Sequence, residues 1–210
     1  MSLFHSDAFL AFRSRDFSLL SVNQLCLILT IMIQEVVIAY SIYQLTQNPL
    51  SLGMIALIEL LPFICFSLIS GDWADRYNRQ KIVQWSFSCS TLIPLLFIVL
   101  FSQYQQQHIQ QNTLLCGIYS LIFCLGILRG IYSPSFNSLR PFLTPESAYS
   151  NAATWTALIW QIGGILAPLC AGLLLGQLGL EKTLFIVFFL CCVGSICLFG
   201  LSPRDFPSPH

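Results

Sequence analysis

Gly71-Asp72-Trp73-Ala74-Asp75-Arg76-Tyr77-Asn78-Arg79-Gln80-Lys81 decides the fold. Five of these eleven residues are charged, in a chain that is only 9% charged, and apolar runs long enough to cross a bilayer lie on both sides. A charge at the centre of a bilayer is unfavourable by at least ~2.5 kcal/mol, so a hinge this short and this charged belongs at a membrane surface. Gly71 permits a tight exit from one helix, and Asn78 tolerates the left-handed conformation of a turn. The stretch therefore predicts a brief polar connection between two spanning helices.

Outward from it, the composition is that of a polytopic membrane protein. Of the 210 residues 56% are hydrophobic and 17 are Phe, and the mean hydropathy is +0.75. A soluble domain does not carry these values. A net charge of zero gives no reason to expect a nucleic acid as partner. All nine Cys fall in apolar runs with no CxxC pair, and His5, His108 and His210 lie outside them. The cysteines read as small buried apolar residues, and neither a metal nor any cofactor is predicted.

Six stretches meet the roughly 20-residue length of a spanning helix. They are about 17–45, 52–70, 82–102, 113–134, 151–176 and 183–201, between an N-terminal segment 1–16 and a proline-containing tail 202–210 expected to be disordered. With the N-terminus inside, Arg13, Arg15, Arg76, Arg79, Lys81, Arg140 and Arg204 are cytoplasmic and only Lys182 is outside. Seven against one is the asymmetry of a plasma-membrane protein with both termini in the cytoplasm. The Gln-rich stretch 103–112 reads as a solvated outside linker, and 135–150 as the longest inside loop. Within it, Thr144-Pro145-Glu146 suits the start of a short surface helix.

Three ionisable residues fall inside the spans: Glu35, Glu59 and Arg129. Such residues usually face a protein interior and mark substrate or proton pathways. A buried Arg needs an acid beside it, and Glu35 is the best candidate partner. Gln24 is eleven residues before Glu35, close to three turns, so the two share a helix face. Glu59 precedes Pro62 and is either a second coupling candidate or a residue bonding the backbone that the proline frees. In the fifth span Gly163, Ala167 and Ala171 are small and four apart, a ridge along which another helix can approach closely.

The opening stretch resembles the signature loop between the second and third helices of the major facilitator superfamily. Gly71, Ala74, Asp75, Arg76, Tyr77, Arg79 and Lys81 fit it; Asn78 stands for the usual second Gly and Gln80 for a basic residue. Leu125 and Arg129 have the spacing of the fourth-helix motif, with Tyr132-Ser133 in place of Gln-Gly. Gly163, Pro168 and Gly172 fit the fifth-helix antiporter motif, with Ala167 and Ala171 in place of Gly. Phe12-Arg13, Phe17, Tyr43 to Thr46, Leu61-Pro62 and Ser133 to Ser135 look like the enterobactin-exporter and macrolide-efflux branch.

The resemblance implies an all-α membrane protein: six transmembrane helices forming one half of a major facilitator fold, as two inverted three-helix repeats. It also implies transport rather than enzymatic catalysis, with a small amphipathic or siderophore-like molecule exported against protons. Arg129 would lie by the binding cavity, and the loop with Asp75 would gate the cytoplasmic side. Members typically have twelve spans, so the expectation is that these six do not transport alone. A truncated product ranks first, a transporter split between polypeptides second and a functional homodimer third. The other classes are a non-transporting interaction partner and a self-associating pore. The partners implied are the lipid bilayer, a small-molecule substrate, and a second six-helix half or a second copy.

Overall fold

The computed structural model describes residues 9–144 and 146–202; the side chains of Ala74, Asp75 and Glu146 also lie outside the described residues. So does the predicted disordered tail from residue 203 onward, with Arg204 in it. Among the described residues there are seven α-helices: α1 Arg15–Thr46, α2 Leu50–Arg76, α3 Arg79–Ser90, α4 Leu92–Gln105, α5 Gln111–Leu143, α6 Tyr149–Leu178 and α7 Leu180–Phe199. They make six lengths apolar enough to cross a membrane, because α3 and α4 together form one span, Arg79–Gln105. The protein is thus an all-α membrane protein with six spans, and among the described residues it has no strand.

Local chemistry sets the helix ends. Ser14 caps α1, its Oγ accepting from Phe17 N at 3.4 Å, and Asp16 stands in the first turn, where a negative charge suits the dipole. Gln47 closes α1 in the left-handed conformation at φ 51°, and Asn48 Oδ1 accepts from Leu50 N at 3.0 Å to start α2. The break at Thr91 follows from Pro94, which has no N–H to donate back to Ser90 and crowds its carbonyl. Thr91 turns its hydroxyl to Ser195 on α7 at 3.2 Å. Pro134 sits inside α5 without ending it. The carbonyl it frees, on Gly130, accepts from the fully buried Ser70 hydroxyl at 2.9 Å, the repair by a neighbouring helix that membrane prolines require.

Several sequence expectations are corrected here. Gly71 is not an exit: α2 runs on to Arg76, and the hinge is only Tyr77 and Asn78. Asn78 is extended, not left-handed (φ −63°, ψ 106°), and caps α3 by accepting from Gln80 N and Lys81 N. Asp72 and Arg76 are one turn apart and paired at 2.9 Å on the surface, which supports the helical extension. Residues 135–143 are likewise the last turns of α5 and not a loop, while Glu146–Ala148 is a single 3-10 turn. Cys65, Cys89, Cys116 and Cys124 are exposed rather than buried; Cys26 and Cys191 are enclosed.

The packing follows a two-fold pattern. The second span lies on the fourth and the first on the fifth; the third meets the fourth and sixth, and the first also meets the sixth. Exchanging spans one to three with spans four to six leaves these pairings unchanged, as inverted repeats require. Close approach comes from small residues, since lipid tails are as apolar as the side chains and van der Waals contact must hold the helices together. A Cβ at Gly163 would stand 2.7 Å from Ile28 on α1, and one at Gly130 would stand 2.8 Å from the Phe63 carbonyl on α2.

One polar junction ties three helices. Asn23, fully buried on α1, donates to the Gly194 carbonyl of α7 at 3.1 Å and accepts from the Tyr132 hydroxyl of α5 at 2.7 Å. Asn23→Leu strips partners from two buried groups, an effect of roughly 1–3 kcal/mol for each unsatisfied group. Thermal unfolding in detergent should show a clear drop in midpoint for this variant. An unchanged midpoint would mean the junction adds nothing to stability.

Candidate functional site

Arg129 is two residues from the centre of the 33-residue helix α5, inside its membrane-spanning length. Its Nη1 donates to Glu35 Oε1 of α1 at 2.8 Å and to Glu59 Oε1 of α2. The structure therefore brings together three of the residues singled out from sequence, with Glu35 beside Arg129 and Glu59 as a second acid. Glu35 and Glu59 are not isolated acids; they converge on one guanidinium nitrogen. Glu59 does not bond the backbone that Pro62 frees; its carboxylate is turned to Arg129. The Arg129 and Glu59 side chains are 15% and 17% exposed and the Glu35 side chain 42%, so Glu59 makes the enclosed pair and Glu35 the pair open to solvent.

Two glycines allow this convergence. A Cβ at Gly126 would collide with the Glu59 carbonyl oxygen and stand 2.7 Å from Pro62 Cγ. Gly126 and Gly130 bring α5 against α2 at the level of the acids. The Pro134-freed carbonyl of Gly130, bonded to Ser70, fixes the same pair of helices one turn further on. Neither glycine was singled out in the sequence; their spacing of four on the arginine's own helix was the available signal.

The trio lines an open cavity of about 450 Å³ whose other walls are apolar, from Ala39, Leu52, Ile55, Ala56, Leu60 and Phe63. Gln24 is not in it. Gln24 is buried at the neck of a second cavity of about 260 Å³, which shares Phe63 and Arg129 with the first and is otherwise lined by Tyr132, Phe136, Arg140 and Trp160 among others. A shared helix face placed Gln24 and Glu35 on one side of α1, but eleven residues separate them by about 16 Å along the axis. Two acids and one base carry one negative charge when all are ionised. They become neutral on taking up one proton, without Arg129 losing its last partner.

The remaining predicted residues fall elsewhere. Gly71 lies within α2 with nothing near its face, Arg76 pairs with Asp72, and Arg79 lies 5.3 Å over the Phe142 ring of α5. Lys81 is exposed, and the Asp75 side chain is outside the described residues. The fifth-span motif divides between two faces. Gly163, Ala167 and Ala171 are buried, whereas Pro168 and Gly172 face outward, with nothing within 4 Å of a Cβ added at Gly172. The amino-terminal segment packs from Phe9 onward: Phe12 meets Phe17 and Trp155 edge-on at 5.3 and 5.1 Å, and the Ala11 amide donates to Asn151 at 3.2 Å.

Comparison with known proteins agrees with this architecture. The family model of the Major Facilitator Superfamily matches residues 20–210. Macrolide efflux protein A of Streptococcus pyogenes is 24% identical over 148 residues, 70% of this chain and 35% of that protein. The multi-drug resistance efflux pump PmrA of Streptococcus pneumoniae is 28% identical over 133 residues, 63% of this chain and 30% of the pump. The staphyloferrin A transporter of Staphylococcus aureus is 25% identical over 128 residues, 61% of this chain and 31% of the transporter. The chain spans about a third of the length of the curated relatives it matches.

Proposed function

Because the chain belongs to the major facilitator superfamily, we propose that it is the N-terminal six-helix half of a proton-coupled exporter of small amphipathic molecules. The observation that carries this reading is Arg129 between Glu35 and Glu59 within the spanning helices, in an apolar-walled cavity. The chemistry is a proton exchange. A proton on either acid leaves Arg129 paired to the other and makes the trio neutral, the form that hydrocarbon surroundings favour. Loss of that proton restores one negative charge, and the difference biases the unit between two conformations. Names of efflux proteins among the relatives support the outward direction.

The cavity also supports a second six-helix unit as partner, whether a second polypeptide segment or a second copy. Half of the apolar stretch of α1 is buried, against 6% in α2 and 17% in α6. The Glu35 side chain opens on this same exposed side, and polar groups there are unfavourable against lipid. A second unit would close the cavity and supply the other body of a rocking mechanism. The Tyr77-Asn78 hinge with Asp75, Arg76 and Arg79 is then the gate at the cytoplasmic side.

The orientation is tested by cysteine labelling. Gln80 is a poor probe site, since it is buried with its amide donating to Leu201 O at 3.4 Å. Gln106 and Lys81 are both exposed. In a background free of reactive cysteine, Gln106→Cys should label from outside the cell and Lys81→Cys only after permeabilisation; the reverse pattern would invert the orientation. For function, cells of an inner-membrane expression host carrying this unit together with a second six-helix half should accumulate less of an amphipathic dye than cells carrying this unit alone, and an uncoupler should restore accumulation. Equal accumulation in the two, across cationic, neutral and anionic dyes, contradicts export.

A further inference from the structure

Among the described residues, the cation at the second cavity has no counter-ion. Arg140 lies eleven residues beyond Arg129 on α5, close to three turns and about 16 Å, on the same face. Its guanidinium sits 5.1 Å over the Phe136 ring, and Nη2 makes one long hydrogen bond, 3.4 Å to Gln24 Oε1. Gln24 is held from closing that gap, because its own amide donates to the Thr156 carbonyl of α6 at 3.2 Å. Arg140 Nε is buried with no partner. Among the described residues no carboxylate pairs with Arg140, and both acids of the first cavity are taken by Arg129.

An arginine that only sets topology requires water and nothing more. This one is folded back over an aromatic ring and against α1, with donors unused, beside a cavity of about 260 Å³. Ser133 and Asn137 add polar groups to that cavity, and Phe63 and Trp160 add aromatic faces. A guanidinium presents parallel N–H groups that match the two oxygens of a carboxylate.

We propose that this cavity binds the carboxylate of an anionic amphipathic solute on Arg140, with the solute's aromatic or alkyl body lying along Phe136 and Trp160 toward Phe63. The inference deepens the exporter reading and rests on it for physiological meaning: the substrate is an organic acid. With one proton on the Glu35–Glu59 pair and a carboxylate on Arg140, the two neighbouring cavities, which share Phe63 and Arg129, are neutral as a whole. A cationic solute gains nothing at Arg140 and is repelled by it.

The probes are 2-naphthoate and 2-naphthamide, similar in shape and different in charge. The chain is placed in phosphatidylcholine nanodiscs, and binding is measured by titration calorimetry with the heats of empty discs subtracted. Naphthoate should bind about tenfold tighter than naphthamide, the scale of one charge-assisted pair in a partly exposed site. Arg140→Gln should erase that preference and leave naphthamide affinity unchanged, while Arg140→Lys keeps part of it. In the unmodified chain, rising sodium chloride should weaken naphthoate binding and not naphthamide binding, so the test stands even if a variant unfolds. Equal affinities for acid and amide, binding of neither, indifference of naphthoate to salt, or a preference surviving in Arg140→Gln would each overturn the proposal. Naphthoate binding through Arg140 without any solute flux when a second six-helix half is supplied would sink the exporter reading and leave the anion site standing. Flux that ignores solute charge would do the reverse.

Discussion

In a transporter completed by a second six-helix half, Arg129→Gln should lower proton-driven flux by two orders of magnitude or more and leave the chain inserted in the membrane. The substitution removes the one cation between Glu35 and Glu59, whose carboxylates both converge on Nη1. Breaking a buried ion pair from one side costs about 3–5 kcal/mol, because the abandoned charge stays buried. The Glu59 side of the cluster, 17% exposed, should carry most of that effect, and the Glu35 side, 42% exposed, less, since solvent screens it. Each ~1.4 kcal/mol is a factor of ten. Arg129→Lys should recover only part, because its ammonium does not reach as far as Nη1 and is the more strongly hydrated cation. Adding Glu59→Gln to Arg129→Gln should restore thermal stability toward the parent without restoring proton dependence, which separates folding from coupling. Full flux in Arg129→Gln would reduce the cluster to a structural pin.

The second large effect is expected at Gly126. Its missing Cβ is the space filled by the Glu59 carbonyl and Pro62. Backbone cannot step aside as the tip of a side chain can, so even Gly126→Ala must push α5 away from α2. Overpacking of this kind costs about 1–3 kcal/mol, and Gly126→Leu more. The same shift draws Arg129, one turn away, off Glu59, so flux should fall together with the unfolding midpoint. Gly164→Ala on α6 is the control, with open space around its Cβ, and should melt like the parent. Parent-like melting of Gly126→Leu would contradict the close α2–α5 contact.

What was legible in the sequence was whatever has a period or a length. Six apolar runs gave six spans, and a lone membrane arginine demanded an acid, which the structure supplies twice over. The polar stretches misled, because polarity was read as loop. Gly71 to Arg76 and Ser135 to Leu143 are helix that carries its polar groups in pairs and toward neighbours, as Asp72 does with Arg76. From sequence Pro134 reads as the end of the fourth span, since nothing local reveals that Ser70, 64 residues earlier, repairs the carbonyl it frees. Gln24 was grouped with Glu35 by face alone, and face does not fix depth. Arg140 was counted as a topology charge, because its fold back onto Phe136 and Gln24 depends on where α1 lies. Asn23 and Gly126 went unremarked for the same reason: each acts only through a partner far along the chain.

The central claim is that the Glu35–Arg129–Glu59 trio exchanges a proton for solute. Its most direct test is solute flux in proteoliposomes, with and without an imposed proton gradient, for this unit completed by a second six-helix half and for the same assembly carrying Glu35→Gln combined with Glu59→Gln. The account predicts flux that the gradient accelerates in the parent and leaves unaffected in the double variant, at equal insertion. Gradient-dependent flux that persists when neither position can hold a proton would contradict it.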